Sequence, residues 1–270
     1  MSKNAVKSVV NAIQKFYPTK LADKTWDNTG LLVDASSEHI SQTLKILLTI
    51  DLTQSVADEA IKSKANFILA YHPFIFRGLK SITPQDPQQK SLIKLIQNKI
   101  SVYCPHTAVD SAKGGVNDFL ADGIVGELKE LSRETIQPDA TEDGCGMGRL
   151  VQLKEPTTLK KLVENSKISL NLNHVQVAKG SNSENIKSIA ICAGSGGGVF
   201  KGINADLFYT GELSHHEALY LKEIGSSIIA CSHSNTERAF LKVIKQQLQT
   251  ELPNTNIIIS ETDKDPYETW

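Results

Sequence analysis

Several absences narrow what this chain of 270 residues can be. It has four cysteines, Cys104, Cys145, Cys192 and Cys231, with no C-x-x-C spacing and no secretory context, so neither a disulfide scaffold nor a structural zinc knuckle is expected. No apolar run approaches the ~20 residues that span a bilayer, which excludes a membrane helix from the expected elements. The formal net charge is only −1, so no global field draws the protein to nucleic acid or to a membrane surface. Arginine is missing from the first 22 residues, and so are acidic residues. That stretch faintly resembles a mitochondrial transit peptide, but Val6, Val9, Val10, Ile13 and Phe16 fall at helical spacing before Pro18 and predict a folded helix. Cytoplasm is the expected compartment, with mitochondria as the alternative. Phosphate-binding fingerprints are incomplete as well. Gly194-Ser195-Gly196-Gly197-Gly198 follows an apolar run, yet Lys201 lacks the neighbours of a P-loop lysine, and Val199 stands where G-x-G-x-x-G needs its third glycine. A tight turn, or anion binding by Gly194, Ser195 and Gly196, remains open.

What is present is an alternation of short apolar runs with amphipathic stretches, which predicts an α/β fold. Strands are expected over Leu44–Asp51, Asn66–Tyr71, Ile100–Cys104, Ile186–Cys192, Asp206–Thr210 and Ser226–Cys231, with Asn254–Ile259 as a last one. Helices are expected over Thr53–Lys64, Gln88–Asn98, Thr158–Asn165, His215–Ile224 and Thr236–Gln249. Each half holds a strand, an alanine-containing helix and a second strand ending at a histidine. A division into repeats 1–125 and 126–270 follows, with the polar stretch Gly123–Asp143 as the junction before the turn Gly144–Gly148.

Polar residues collect just past the carboxyl ends of the expected strands: Asp51, His72, His106, Asp110, Glu212, His215, His216, His233 and Glu237. That edge of an α/β sheet is where ligands bind, because rigid strands hold loops that are free to carry chemistry. His233 and Glu237 stand four residues apart, as do His106 and Asp110, a spacing that lets both side chains of a pair reach one ion. Taken singly, His72 reads as a turn cap, Asp110 as a helix cap and His215 as surface. Together they form a donor set of imidazole and carboxylate, which suits Zn, Mn or Fe in a hydrolytic site better than a thiolate-rich structural site. A carboxylate bridging two ions would let the pair sit ~3.5–4 Å apart and generate hydroxide at neutral pH. Cys104 and Cys231 each precede a histidine by two residues, but no orienting group accompanies either pair as a thiol nucleophile needs. His39 and His174 are assigned no role.

The ordered motifs resemble those of the NIF-three-like (NGG-interacting factor) family, whose bacterial members carry the label type-2 GTP cyclohydrolase I. Trp26-Asp27-Asn28-Thr29-Gly30-Leu31 is similar to its W-D-N-x-G-L signature, and Tyr71-His72-Pro73 with Phe76 to H-H-P-x-x-F. Pro105-His106-Thr107 through Asp110, Gly146-Met147-Gly148-Arg149, Gly194-Ser195-Gly196-Gly197, Thr210-Gly211-Glu212 with His215-His216, and Ser232-His233 through Thr236-Glu237 complete the series. The resemblance implies two similar intertwined α/β repeats with mixed, mainly parallel sheets, assembled as a homohexamer around a dinuclear metal site. Carried over position by position, the metal ligands are His72, Asp110, His233 and Glu237. It makes His106 a proton carrier behind them and lets Glu212, with a catalytic role, and His215 line the cavity. Tyr71 departs from the bacterial pattern, since a phenol replaces the first imidazole and ligates only with its pKa lowered by the metal. Tyrosine there is expected of the eukaryotic branch. Three functions follow in order: a metal-dependent hydrolase on a small phosphorylated or nucleotide-like substrate, a non-catalytic metal-binding protein, and a scaffold for a protein partner such as a transcription factor. No residue specifies guanine recognition.

Overall fold

Each apolar run read as a strand forms one, most with their ends trimmed, while those expected to end at Cys192 and Thr210 run on to Ser195 and Glu212. The computed structural model describes residues 1–36 and 43–268; His39 lies outside them. In chain order the first elements are α1 (Lys3–Phe16), β1 (Gly30–Val33), β2 (Lys45–Thr49), α2 (Gln54–Lys62), β3 (Phe67–Ala70), α3 (Pro87–Gln97), β4 (Ser101–Cys104) and α4 (Thr107–Ser111). They are followed by α5 (Val116–Val125), β5 (Glu130–Pro138), β6 (Gly146–Thr157), α6 (Leu159–Leu170), β7 (Gln176–Ala178), β8 (Ile186–Ser195) and β9 (Leu207–Glu212). The last are α7 (His215–Glu223), β10 (Ser227–Ala230), α8 (Asn235–Arg238), α9 (Leu241–Glu251) and β11 (Asn256–Ile259). No helix among the described residues is long and apolar enough to cross a membrane.

The chain divides into two units. One comprises Met1–Val109 with Leu241–Lys264, the other Asp110–Phe240 with the segment from Asp265. In the first unit the sheet order is β1-β4-β3-β2-β11. Strands β4, β3, β2 and β11 are parallel, and β1 adds antiparallel to β4. Every residue of β3 and β4 is buried, as expected of parallel strands covered on both faces. Helix α2 starts where Thr53 Oγ1 accepts from the Val56 N–H, and it buries Val56, Ala57 and Ala60 against Leu47, Ile68 and Val102. Helix α3 begins with Asp86 as cap and Pro87 in its first turn, where a missing N–H costs nothing. Behind β11, Glu59 of α2 accepts from Ser260 Oγ, from the Glu261 and Thr262 N–H groups and from Thr262 Oγ1.

The second unit has the sheet order β5-β6-β8-β9-β10-β7. Its centre β8-β9-β10 is parallel, and β5, β6 and β7 add antiparallel. Its core gathers Ala190, Cys192, Phe200, Phe208, Leu221 and Ile228. Helix α7 opens with a full capping box, in which Ser214 and Glu217 satisfy each other's backbone N–H groups.

Several elements differ from the sequence reading: β1, β7 and α4 were not expected, and α6 runs on to Leu170. Gly123–Asp143, read as a polar junction, lies largely in α5 and in β5, which runs antiparallel to β6. The turn read at Gly144–Gly148 closes that hairpin, and β6 already starts at Gly146. Helix Thr236–Gln249 is split into α8 and α9, and the division between the units falls at Phe240 and Leu241.

Candidate metal centre

In the first unit, parallel register sets the side chains at the strand ends. The β2–β3 ladder pairs Thr49 with Ala70 and continues beyond the strands, where the Tyr71 N–H donates to the Thr49 carbonyl (2.9 Å) and the His72 N–H to that of Ile50 (3.1 Å). Asp51 therefore arrives beside His72, with Oδ1 2.9 Å from Nδ1. His106 follows β4 with φ of +35°, a left-handed conformation that is costly for a residue with a side chain. It is held there from two sides. Its N–H donates to the Tyr71 carbonyl (3.2 Å), and Nδ1 lies 2.7 Å from Asp27 Oδ1. The Asp27 side chain is fully buried and also accepts from Thr107 Oγ1 and the Thr107 N–H. Burial alone would raise its pKa, but the hydrogen bonds from His106 and Thr107 hold it below the ordinary carboxylate value. The rings of Tyr71, His72 and His106 meet edge to face, with His72 and His106 centroids 5.5 Å apart, and Trp26 closes on His106 at 5.7 Å. Trp26 also meets Phe76, and Asn28 donates to the Ile75 carbonyl, so the W-D-N and Y-H-P-x-x-F motifs pack on each other. A cavity of about 400 Å³ opens beside Asp51 and His72, bordered by Thr53, Gln54, Phe74 and Gln88.

In the second unit the ends of β8, β9 and β10 carry the chemistry. His233 Nδ1 lies 2.9 Å from Oε1 of Glu212, the last residue of β9. His233 Nε2 is 3.5 Å from Oε1 of Glu237, which is 3 % exposed. His233 precedes α8 instead of lying within it. Its spacing from Glu237 is held by Thr236, whose Oγ1 donates to the His233 carbonyl (2.7 Å) and accepts from the Gly194 N–H (2.9 Å). Two glycines let backbone approach the histidine. A Cβ at Gly194, whose φ is +61°, would lie 2.9 Å from His233 Nε2 and 3.0 Å from Glu237 Oε1, and one at Gly211 would lie 2.8 Å from the His233 Cα. Gly194 and Gly196 use their N–H groups internally, on Thr236 Oγ1 and the Glu212 carbonyl, while Ser195 is exposed.

Asp110, 7 % exposed, opens the second unit. Its carbonyl accepts from Asn117 Nδ2 (2.9 Å), and Asn117 Oδ1 accepts from the Ala193 N–H (2.9 Å), next to Gly194. Burial foremost, and then the Asp110 and Glu237 carboxylates, push the Cys192 thiol up. Two buried carboxylates acting on one thiol make a locally negative environment that a cation relieves. His233 and Glu237 thus form a His/Glu group that could ligate a metal ion. Arg149, 2 % exposed, ties this region from behind: it grips Asp118 with Nε and Nη2 (2.8 and 2.9 Å) and donates to the carbonyls of Ala112, Gly146 and Gly148.

The remaining candidates are exposed or inert. His215 is exposed on the first turn of α7, its ring against that of His216 at 5.3 Å, and His174 is exposed. Burial pushes the Cys231 thiol up to about 12, which removes it as a nucleophile at neutral pH. The Cys104 thiol is buried and donates to the Tyr71 carbonyl (3.0 Å). Asp27 in the first unit, and Asn117 and Thr236 in the second, hold these side chains in place without having been read as site residues. Asp27 and Thr236 lie within quoted motifs, and Asn117 does not.

The fold and strand ends define a class: a mixed α/β protein carrying carboxylate-paired histidines where parallel strands finish. Comparison narrows it. The family model Duf34/NIF3 (NGG1p interacting factor 3) matches residues 4–266. The chain is 48 % identical over 275 residues to NGG1-interacting factor 3 of Saccharomyces cerevisiae, covering 96 % of this chain and 94 % of that protein. It is 47 % identical to the NIF3 homolog of Schizosaccharomyces pombe over the full length of both. A Bacillus cereus protein related to NIF3 superposes with a TM-score of 0.84 at 23 % identity, over 98 % of each chain, which shows the shared fold. The chain belongs to the Duf34/NIF3 family.

Proposed function

We propose that the chain is a metal-dependent hydrolase acting on a small phosphorylated or nucleotide-like substrate. The observation that carries the reading is the pair His233 and Glu237, a borderline nitrogen donor and a buried carboxylate 3.5 Å apart beside a glycine that leaves them room. The family resemblance extends the ligand set to Asp110 and His72 and the occupancy to two ions of Zn, Mn or Fe. When bound, such an ion supplies Lewis acidity and brings the pKa of water toward neutrality. His106, anchored through Nδ1 by Asp27, is the proton carrier. Glu212 acts through His233, which it contacts, and of the expected anion-binding turn only the exposed Ser195 is left to meet an anion, because the N–H groups of Gly194 and Gly196 are engaged. Tyr71 and His215 are the further candidates for contact with metal or substrate. The same resemblance proposes a homohexamer.

A second reading has one specific support. The yeast relative is named for its interaction with NGG1, so a scaffold that binds a protein partner is the alternative function here. Metal content per chain, measured together with hydrolysis of a panel of phosphate esters and nucleotides, decides between them. Close to two ions per chain and turnover abolished in a folded His233→Ala variant are the expected results. Full activity in that variant, or wild-type protein without metal, overturns the hydrolase. Metal without turnover leaves a non-catalytic metal-binding protein.

A further inference from the structure

The two units repeat one arrangement that family membership does not assign. In the first, the carboxylate just past β2 meets Nδ1 of the histidine just past β3. In the second, the carboxylate ending β9 meets Nδ1 of the histidine just past β10. Both distances are 2.9 Å, and in both units the two strands are parallel neighbours joined through a helix, α2 or α7. We infer that Asp51 and Glu212 are positioning residues that lock His72 and His233 in the tautomer protonated at Nδ1, so that each presents the Nε2 lone pair to a divalent cation. The inference rests on the metal reading above and adds to it the residues that set the ligating nitrogen.

The chemistry follows from the imidazole. A neutral ring carries one proton, and an ionised carboxylate can only accept, so the nitrogen facing it must be the protonated one. The lone pair is then fixed on Nε2, and the ring plane is fixed by the bond. Imidazole ligands of metals ordinarily donate their other N–H to a carboxylate or carbonyl, and losing that partner weakens metal binding by about 10–100-fold. Geometry in the second unit agrees, because Nε2, and not Nδ1, is the nitrogen turned to Glu237. Sequence position explains how the first carboxylate arrives: Thr49 pairs with Ala70, and Asp51 and His72 each stand two residues past that parallel pair. In the second unit Thr210 pairs with Ala230, so His233 lies one residue past the level of Glu212, and the longer glutamate side chain spans the offset.

Nitrogen-15 NMR of histidine-labelled, metal-free protein at about pH 8, where ordinary histidines are neutral, reads the tautomer without any metal. Zinc titration of the same samples reads affinity. In the wild type, His72 and His233 are expected with the proton on Nδ1. Asp51→Ala and Glu212→Ala should each release that lock at the adjacent ring only, and lower zinc affinity by about 10–100-fold at an unchanged circular-dichroism spectrum. Asp51→Asn and Glu212→Gln, whose amide oxygens still accept, should recover much of the loss. Wild-type rings protonated on Nε2 overturn the inference whatever the metal result. Correct tautomers with unchanged zinc affinity in both alanine variants overturn the positioning role. Correct tautomers in a wild type that binds no zinc overturn the metal reading and the positioning role with it.

Discussion

Gly194→Ala isolates the geometry of the metal centre with a single methyl group. The new Cβ would stand 2.9 Å from His233 Nε2 and 3.0 Å from Glu237 Oε1. To regain ordinary van der Waals separation each side chain must retreat by roughly 0.4–0.5 Å, which is the tolerance within which a functional constellation must be held. Backbone strain adds to the displacement. With φ at +61°, alanine costs about 1–2 kcal/mol in the left-handed region, offset by about 0.4–1 kcal/mol of unfolded-chain entropy. The net is about 1 kcal/mol, or about 2–4 °C in Tm. A sharper effect is expected on metal, with zinc affinity falling by at least about tenfold. Gly198→Ala in the same glycine run is the control, since its Cβ meets nothing within 4 Å. Isothermal titration with zinc and a thermal melt of the three proteins measure both quantities. Wild-type affinity in Gly194→Ala, or equal losses in the two variants, would refute the claim that Gly194 makes room for the ligand pair.

Two further outcomes follow from buried charges. Arg149→Ala leaves three carbonyls without their buried donor and Asp118 with only Arg133 (3.3 Å) and the Gly114 N–H (2.8 Å), so urea unfolding should report a loss of about 3 kcal/mol, the low end for a broken buried pair; a loss under about 1 kcal/mol would contradict the role given to the G-M-G-R motif. Asp27 has its folded pKa depressed below the unfolded 3.8, so its contribution is fully present above that value and disappears as pH falls through the folded pKa. Asp27→Asn should therefore be less stable than wild type at neutral pH, with the difference shrinking below about pH 4 in pH-dependent denaturation curves.

Why some of this was legible in the sequence and some was not has a physical explanation. Buried parallel strands are continuous apolar runs, so Ile46–Leu48, Phe67–Ala70 and Ile228–Ala230 announced themselves, and so did the polar residues where the runs stop. Strand β5 did not, because its residues are half-buried to exposed and carry Glu130, Arg133 and Glu134 among them. Helix α5 was hidden by Gly123, a poor helix former, which is tolerated because a Cβ there would collide with Ser169 of α6. At the centre, His233 and Glu237 were visible as a spacing, but the reason given for it was incomplete. The pair is set by the Thr236 bridge and not by one continuous helix. Asn117 acts through a contact distant in the chain, with Ala193, and nothing local marks it, whereas Asp27 lies in the W-D-N motif but meets His106 79 residues away.

The pairing of β11 with β2 has a consequence for the order in which the protein can be made. Asn256–Ile259 completes the first unit's sheet only after Asp110–Phe240, the body of the second unit, has been synthesised. Until then, on the order of ten seconds at ordinary rates of synthesis, the apolar strand Ile46–Leu48 is an open edge on a nascent chain. The body of the second unit is contiguous from Asp110 to Phe240 and precedes β11, whereas the first unit's sheet has to wait for that strand. Such a protein depends on whatever shields that edge during synthesis, and shortening it from the carboxyl end would leave the edge open for good.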